Sequence, residues 1–516
     1  MMSAKTAIPA SSPPRNALRS ALSEKRFFWS IEFIPSVDKV LRDELRKLGG
    51  VAEVMRIDPN LAAFAVTDRV VSDRDPDPIA AASHLLDASG KQPLVHFSGK
   101  GRDISDLPAA LARIQENVLE NVLFLTGDKL RETPRHGRAR YLESVPAIQA
   151  ARRAGPQLLI AAALNPFKYR EEDAMAQYLK LGKKVGAGAD FVITQIGWDM
   201  AKYEEALEWV RTRNYGVPLV ANVMPVSAQR ARYMRHHQLA GVTVTDSFLG
   251  LLEAEERIMA DKGAARVLRR LALQIIGLRL MGYGGVQLTG IHAPEKLAAL
   301  DRQITQLSEI CLDTLLWRKA WDESLTLPEG GSANLAPPHD PWYVGKDRTR
   351  RADAGQMFHY RLMRGVHDAI FGDGIGARVI APLLRPVQRR SRFGRVLEKL
   401  ERATKRPLFG CDTCGMCRLA ATQYVCPETC PKGLANGACG GTSDNLCEFR
   451  DRECIHSVKY RIASTAGKLH ELETLLIPAV PATVRHTSSW PAHYRGEGPQ
   501  VQVIQFYPPN PEGKTG

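Results

Sequence analysis

From about residue 27 to about residue 310, short apolar runs alternate with stretches whose apolar positions repeat at helical spacing. The runs that read as strands are "WSIEFIP" (29–35), "LAAFAVTD" (61–68), "PLVHFSG" (93–99) and "NVLFLTGD" (121–128), followed by "LLIAAALN" (158–165), "FVITQIGW" (191–198), "PLVANVMPV" (218–226) and "GGVQLTGI" (284–291). Between them lie segments such as "MAKYEEALEWVRTRNYG", where Met200, Tyr203, Leu207 and Val210 recur at helical spacing before Gly216. Strands that are apolar nearly throughout, each followed by a helix, predict a parallel sheet covered on both faces. Eight such units in about 260 residues match a closed α/β barrel of the (β/α)8 (TIM) type in number and size, predicted over 27–315. An open doubly wound sheet is the alternative, but no Gly-rich dinucleotide fingerprint follows the first strand.

Residues 322–345, "DESLTLPEGGSANLAPPHDPWYVG", interrupt the pattern with Pro, Gly and Asp and predict a linker over 316–350. Beyond it, "GQMFHYRLMRGVHDAIF" is an apolar helix candidate, and a basic segment leads into a run dense in cysteine. A mostly helical and irregular metal-binding domain is therefore expected over 351–465, with an extension over 466–516. Residues 1–26 are expected to form a disordered tail. Their first 23 positions carry no acid, several Ser and Pro, and no apolar core of the kind a secretory signal needs.

Composition narrows the classes. A chain of 516 residues exceeds one ordinary core. No apolar run approaches the roughly 20 residues that span a bilayer, so no membrane span is expected and the cytoplasm is the expected location. The net charge of +14 is concentrated locally, since 385–406 carries nine Lys or Arg against two Glu. Without aromatic and basic residues interleaved, or a helix-turn-helix signal, this segment reads as a solvated helix or a docking face for an acidic electron carrier, and not as a nucleic-acid site.

In a barrel, chemistry gathers where strands end. Polar groups stand near the ends of otherwise apolar runs at Glu32, Thr67, Asp68, His96, Asp128, Asn165 and Gln195. Taken singly, each has a plain structural role, as a helix cap or a satisfied core residue. Taken together, they line one rim. Glu32, between Ile31 and Phe33, is expected to be poorly solvated, which raises a carboxyl pKa and suits a general acid. Asp128, following Gly127, is expected to stay ionised and to stabilise positive charge.

Eight of the nine cysteines lie in one region: Cys411, Cys414, Cys417, Cys426, Cys430, Cys439, Cys447 and Cys454. With no export signal they are expected to be metal ligands and not disulfides. Three cysteines at two-residue gaps with a separate Cys-Pro is a ferredoxin-like arrangement, and eight thiolates suffice for two sites. Zinc also accepts four thiolates, but the third cysteine at the same spacing favours [4Fe-4S]. Glycines in "GLANGACGG" would let backbone approach sulfur and donate N–H bonds to it. Cys311 stands alone and reads as core.

"SIEFIPS", "LTGD", "KKVGAGADFVITQ" and "MPVS", in this order, resemble the methylenetetrahydrofolate reductase barrel over roughly 27–300. "CDTCGMC" and "CPETCPKGLANGACGG" resemble the cysteine-rich C-terminal domain and partner subunit of one branch of that family. The resemblance implies flavin-dependent interconversion of 5,10-methylene- and 5-methyltetrahydrofolate. It places the acid at Glu32, the aspartate beside the flavin at Asp128, a folate contact at Gln195 and a flavin-phosphate contact at Lys184. Thr67 and His96 fall near the isoalloxazine, and Asn165 joins them as a cofactor-side residue. Where FAD-type members carry arginine before Gly-Asp, this chain has Thr126, and tyrosine and histidine positions of the fifth strand are Ala163 and Phe167. FMN, FAD held differently and a flavin-free barrel all stay open. So do the electron carrier, NAD(P)H or ferredoxin-like, and homo-oligomerisation. A non-catalytic folate-binding, metal-containing partner module and a methyltetrahydrofolate-dependent methyltransferase are the alternative functions.

Overall fold

The computed structural model describes residues 16–37, 39–130, 141–328, 330–337 and 342–506. Eight parallel strands close into a barrel in chain order: β1 (Phe28–Phe33), β2 (Leu61–Val66), β3 (Leu94–Ser98), β4 (Asn121–Leu125), β5 (Leu159–Leu164), β6 (Phe191–Thr194), β7 (Leu219–Val223) and β8 (Gly285–Leu288). The last strand pairs with the first, Ser30 opposite Gln287 and Ile31 opposite Leu288. Each predicted run supplies one strand, because strands buried on both faces must be apolar throughout. No helix is long and apolar enough to cross a membrane among the described residues.

Side chains alternate along each strand, and the inward set changes character along the barrel axis. Its lower layers are apolar and small, including Ala63, Ala65, Leu94, Leu123, Ala161, Phe191, Ile193 and Val220. The helix Ala17–Ser23 closes that end, with Ala17, Leu18 and Ala21 packed into the same cluster. Asn16 caps it, accepting from Arg19 N and donating to Asn121 Oδ1 at 2.8 Å. Residues 16–23 are thus structured where the sequence reading expected a tail. Burial of three small apolar residues against the barrel floor outweighs the polar composition of what surrounds them.

The 316–350 segment is likewise not a free linker. Trp317, on the helix Thr314–Glu323, is fully buried beside Gly277 of the barrel helix Ala264–Met281. Buried Glu205 then accepts from the backbone of Tyr343 and Val344, and Glu171 accepts Thr349 N at 3.0 Å. The chain continues through the helices Ala354–Phe371, Ile375–Leu384 and Arg392–Phe409 into the cysteine-rich loops. The helix Ile455–Thr465 returns to pack on the barrel helix Glu171–Gly186.

Candidate functional site

The top inward layer of the barrel is polar. Glu32 lies one residue before the end of β1 at 8% exposure, and burial pushes its carboxyl pKa up. Thr289 Oγ1 lies 2.5 Å from Glu32 Oε2 and 2.9 Å from Asn222 Oδ1. A hydroxyl has one hydrogen to give, so it cannot satisfy two acceptors. With Glu32 protonated, the acid donates to Thr289 and Thr289 donates to Asn222, and all three groups are paired. Gln287 Nε2 reaches Glu32 Oε1 at 3.3 Å, and His292 Nε2 meets the Glu32 carbonyl at 2.7 Å. Asn222, Gln287, Thr289 and His292 were not singled out from the sequence. The signal was present in "ANV" and "QLTGIH", where polar residues interrupt the ends of β7 and β8.

Thr67 follows β2, and His96 sits inside β3. Both are buried, and Thr67 Oγ1, His96 Nε2 and Gln287 Oε1 have no hydrogen-bond partner among the described residues. Burial lowers the His96 pKa to about 4, so its imidazole is neutral at physiological pH. Buried Asp68 accepts from Ser98 N at 2.8 Å and pairs with Arg102. Gln195, after β6, donates to the Ala240 carbonyl at 3.2 Å. Asp128 is exposed on the loop after β4, where its carbonyl accepts from Tyr141 and its side chain faces the charge of Lys432.

The structure brings Asn165 and Lys184 to a different use. Asn165 Nδ2 donates to the carbonyls of Gly241 and Gly440 at 2.9 and 2.8 Å. Lys168 Nζ reaches Gly440 O at 2.8 Å, Gln177 Nε2 reaches Cys439 O at 2.9 Å, and Lys180 Nζ reaches Gly437 O at 3.0 Å. The glycine-rich segment of the cysteine domain therefore lies as a strap across the loop after β5 and the helix Glu171–Gly186. Gly437, at φ +153°, is needed there: a Cβ would stand 2.9 Å from Lys180 Cβ. Lys184, buried behind this strap, donates to the Ala163 carbonyl, and burial lowers its pKa to about 7. From the strap, buried Lys432 donates to Gly127 O at 2.7 Å and to Glu448 Oε2 at 2.5 Å.

The cysteines fall into two groups. Cys411, Cys414, Cys417 and Cys426 line one cavity with Lys405, Phe409 and Arg418. Cys430, Cys439, Cys447 and Cys454 feel one another's charge and stand beside the strap. Burial pushes Cys414 up to about 12 and Cys439 to about 11, so holding them as thiolates takes a bound cation or cluster. Among the described residues, no three His, Cys, Asp or Glu side chains are drawn tightly around a single point. Cys311 is buried in the barrel core.

Residues 17–272 match the family model described as methylenetetrahydrofolate reductase, and residues 392–480 match the model of that enzyme's C terminal. The chain carries a methylenetetrahydrofolate reductase family barrel and that family's C-terminal domain. Methylenetetrahydrofolate reductase 1 of Schizosaccharomyces pombe is 26% identical over 161 residues, 31% of this chain and 26% of the relative. Methylenetetrahydrofolate reductase 2 of Saccharomyces cerevisiae is 25% identical over 197 residues, 36% of this chain and 32% of the relative. The chain thus spans about a third or less of the length of these curated relatives. Among solved structures, an uncharacterized protein from Clostridium thermocellum that binds two copies of 5-methyl-5,6,7,8-tetrahydrofolic acid is 13% identical. It aligns with a TM-score of 0.41 over 57% of this chain and 99% of its own.

Proposed function

We propose that the chain interconverts 5,10-methylenetetrahydrofolate and 5-methyltetrahydrofolate in the barrel mouth, with Glu32 as proton donor. In this reading the eight clustered cysteines hold two [4Fe-4S] clusters that pass electrons between the mouth and an outside carrier. The observation that carries it is the Glu32–Thr289–Asn222 chain, which favours a carboxyl that keeps its proton where a folate can reach it.

Opening the five-membered ring of the methylene form requires a proton on the folate N10, and buried Glu32 is built to give one. In the reverse direction the same carboxylate takes it back. Thr289 and Asn222 fix the acid's orientation, Gln195 is offered to the pterin, and Asp128 supplies negative charge toward the cationic iminium. A flavin, when bound, supplies or accepts the hydride. Thr67, His96 and Gln287 are the residues that would hold its ring, since each buries a polar atom that no described residue satisfies. The surroundings do not suit a long adenylate tail. Lys184 is turned to Ala163, and Asn165, Lys168, Gln177 and Lys180 hold the chain's own strap. FMN is the flavin this mouth fits best.

For the cysteines, a cavity walled by four thiols, three of them at two-residue spacing, supports a cluster over zinc. The second group, beside the strap and Lys432, stands nearer the barrel mouth.

The test is anaerobic purification followed by iron, sulfide, zinc and released-flavin analysis, with a methyltetrahydrofolate:dye assay on the same preparation. Expected are iron with sulfide, FMN and folate-dependent dye reduction. Flavin-loaded protein that shows no folate turnover in either direction overturns the reading.

A further inference from the structure

The helix Arg392–Phe409 presents three stripes, and only one is used inside the molecule. Gly394, Leu397 and Glu401 form the buried one. At about 100° per residue, Arg392, Arg395, Lys399, Arg402 and Arg406 share a second line, spaced three and four residues apart, and all five are exposed. None of the five has an ion pair among the described residues. The helix's own acids are turned away from them: Glu401 is bound by Ser488, Ser489 and Lys405, and Glu398 by Thr413. The third stripe is Phe393, Val396 and Leu400, exposed at 55%, 57% and 50%. An apolar stripe beside an uncompensated cationic one is the composition of a docking face with an apolar centre and a charged rim.

We propose that this face docks an acidic one-electron carrier protein, an inference that rests on the relay reading of the cysteines. Two features choose this occupant. The five cations ask for carboxylates, and they disfavour a second copy of the chain, whose two-fold contact would set like charges side by side. The helix also ends at the first thiol group. Gly410 caps it in the left-handed region, Cys411 follows, Phe409 lines the thiol cavity, and Lys405 Nζ stands 3.6 Å from Cys417 Sγ. A partner seated on the helix is thereby brought next to the thiol group farther from the barrel.

Calorimetric titration of the full-length, metal-loaded chain with a two-cluster bacterial ferredoxin as the acidic probe tests this, at low and moderate salt. One-to-one binding that weakens with salt is expected. The triple variant R395E/K399E/R402E should weaken it at least roughly tenfold, with metal content and dye-linked folate turnover unchanged. Leu400→Ser should weaken it with little change in salt dependence. Ferredoxin binding that ignores both salt and the triple variant, or no binding at all, overturns the proposal. So does tighter association with phosphatidylglycerol vesicles or duplex DNA, or a chain dimer that Leu400→Ser dissociates. If folate turnover is absent while ferredoxin binding follows the stripe, the proposed barrel chemistry fails and the docking face stands.

Discussion

Glu143, at the head of the barrel helix Ser144–Ala154, accepts both the backbone N–H and the side-chain amide of Asn436 from the cysteine-rich domain. It also accepts Ala435 N at 3.1 Å and pairs with Lys180 at 2.8 Å. One buried carboxylate therefore fastens the strap to the barrel.

Burial alone would raise the Glu143 pKa, but Lys180 and the strap's donors hold it down at about 2. The stability it contributes is full above the ordinary carboxyl value of 4.5 and is lost as pH falls through about 2. Glu143→Gln leaves Lys180 buried without its partner and should cost about 3–5 kcal/mol. Thermal unfolding at pH 7, with limited proteolysis across 432–445, measures the loss. An unchanged melting temperature together with an intact strap refutes it.

Glu32→Gln keeps the size of the side chain and can still donate to Thr289. Folate turnover should fall by roughly a hundredfold or more, while any bound flavin remains reducible by dithionite. Because burial opposes the Glu32 anion, stability at neutral pH should hold or rise in this variant. Turnover near the wild-type rate removes Glu32 as the acid.

Thr289→Val removes the acceptor that protonated Glu32 uses and the donor that Asn222 uses. The acid then gives up its proton at lower pH, so the limb of the rate profile that reports its deprotonation should move downward. The loss of orientation should slow turnover by about tenfold. A limb that moves up, or stays, contradicts the pairing.

His96 stays neutral in the fold down to about pH 4, whereas the unfolded chain protonates it near 6.5. The unfolded state binds the extra proton in that interval, so stability falls as pH drops from 6.5 toward 4 by roughly 3 kcal/mol. His96→Gln should flatten that part of the melting-temperature profile. An unchanged slope assigns the dependence to other groups.

Cys414→Ser and Cys439→Ser should each remove about half of the bound metal, because the two thiols belong to separate groups, and the double variant should remove nearly all. Cys311→Ser should remove none. Metal analysis of the purified variants decides it, and complete loss from either single variant merges the two groups into one.

The barrel was legible because its strands announce themselves: "FVITQ" and "LVANV" have no polar alternation, as burial on both faces demands. The helix Ala17–Ser23 was missed although Asn16 is a good cap, since seven residues in a basic, Ser-rich stretch carry little periodicity. Trp342 to Val344 sit among Pro and Gly that read as linker, and their anchor, Glu205, lies far back in the sequence. The strap's partners were hidden for a related reason. Gln177 and Lys180 are polar helix residues that a local reading leaves to solvent, and they are buried by a segment about 260 positions away. The glycines of "GLANGACGG" read as making room for sulfur, whereas Gly437 makes room for Lys180 of the barrel helix.

The strap has a further consequence. A strap supplied by a separate polypeptide is in place only to the extent that dissociation allows. Here it belongs to the barrel's own chain, and 342–349 on the way to it is pinned to Glu205 and Glu171. Its docking is a unimolecular event and does not depend on protein concentration. Specific activity in the proposed folate reaction should therefore be independent of dilution.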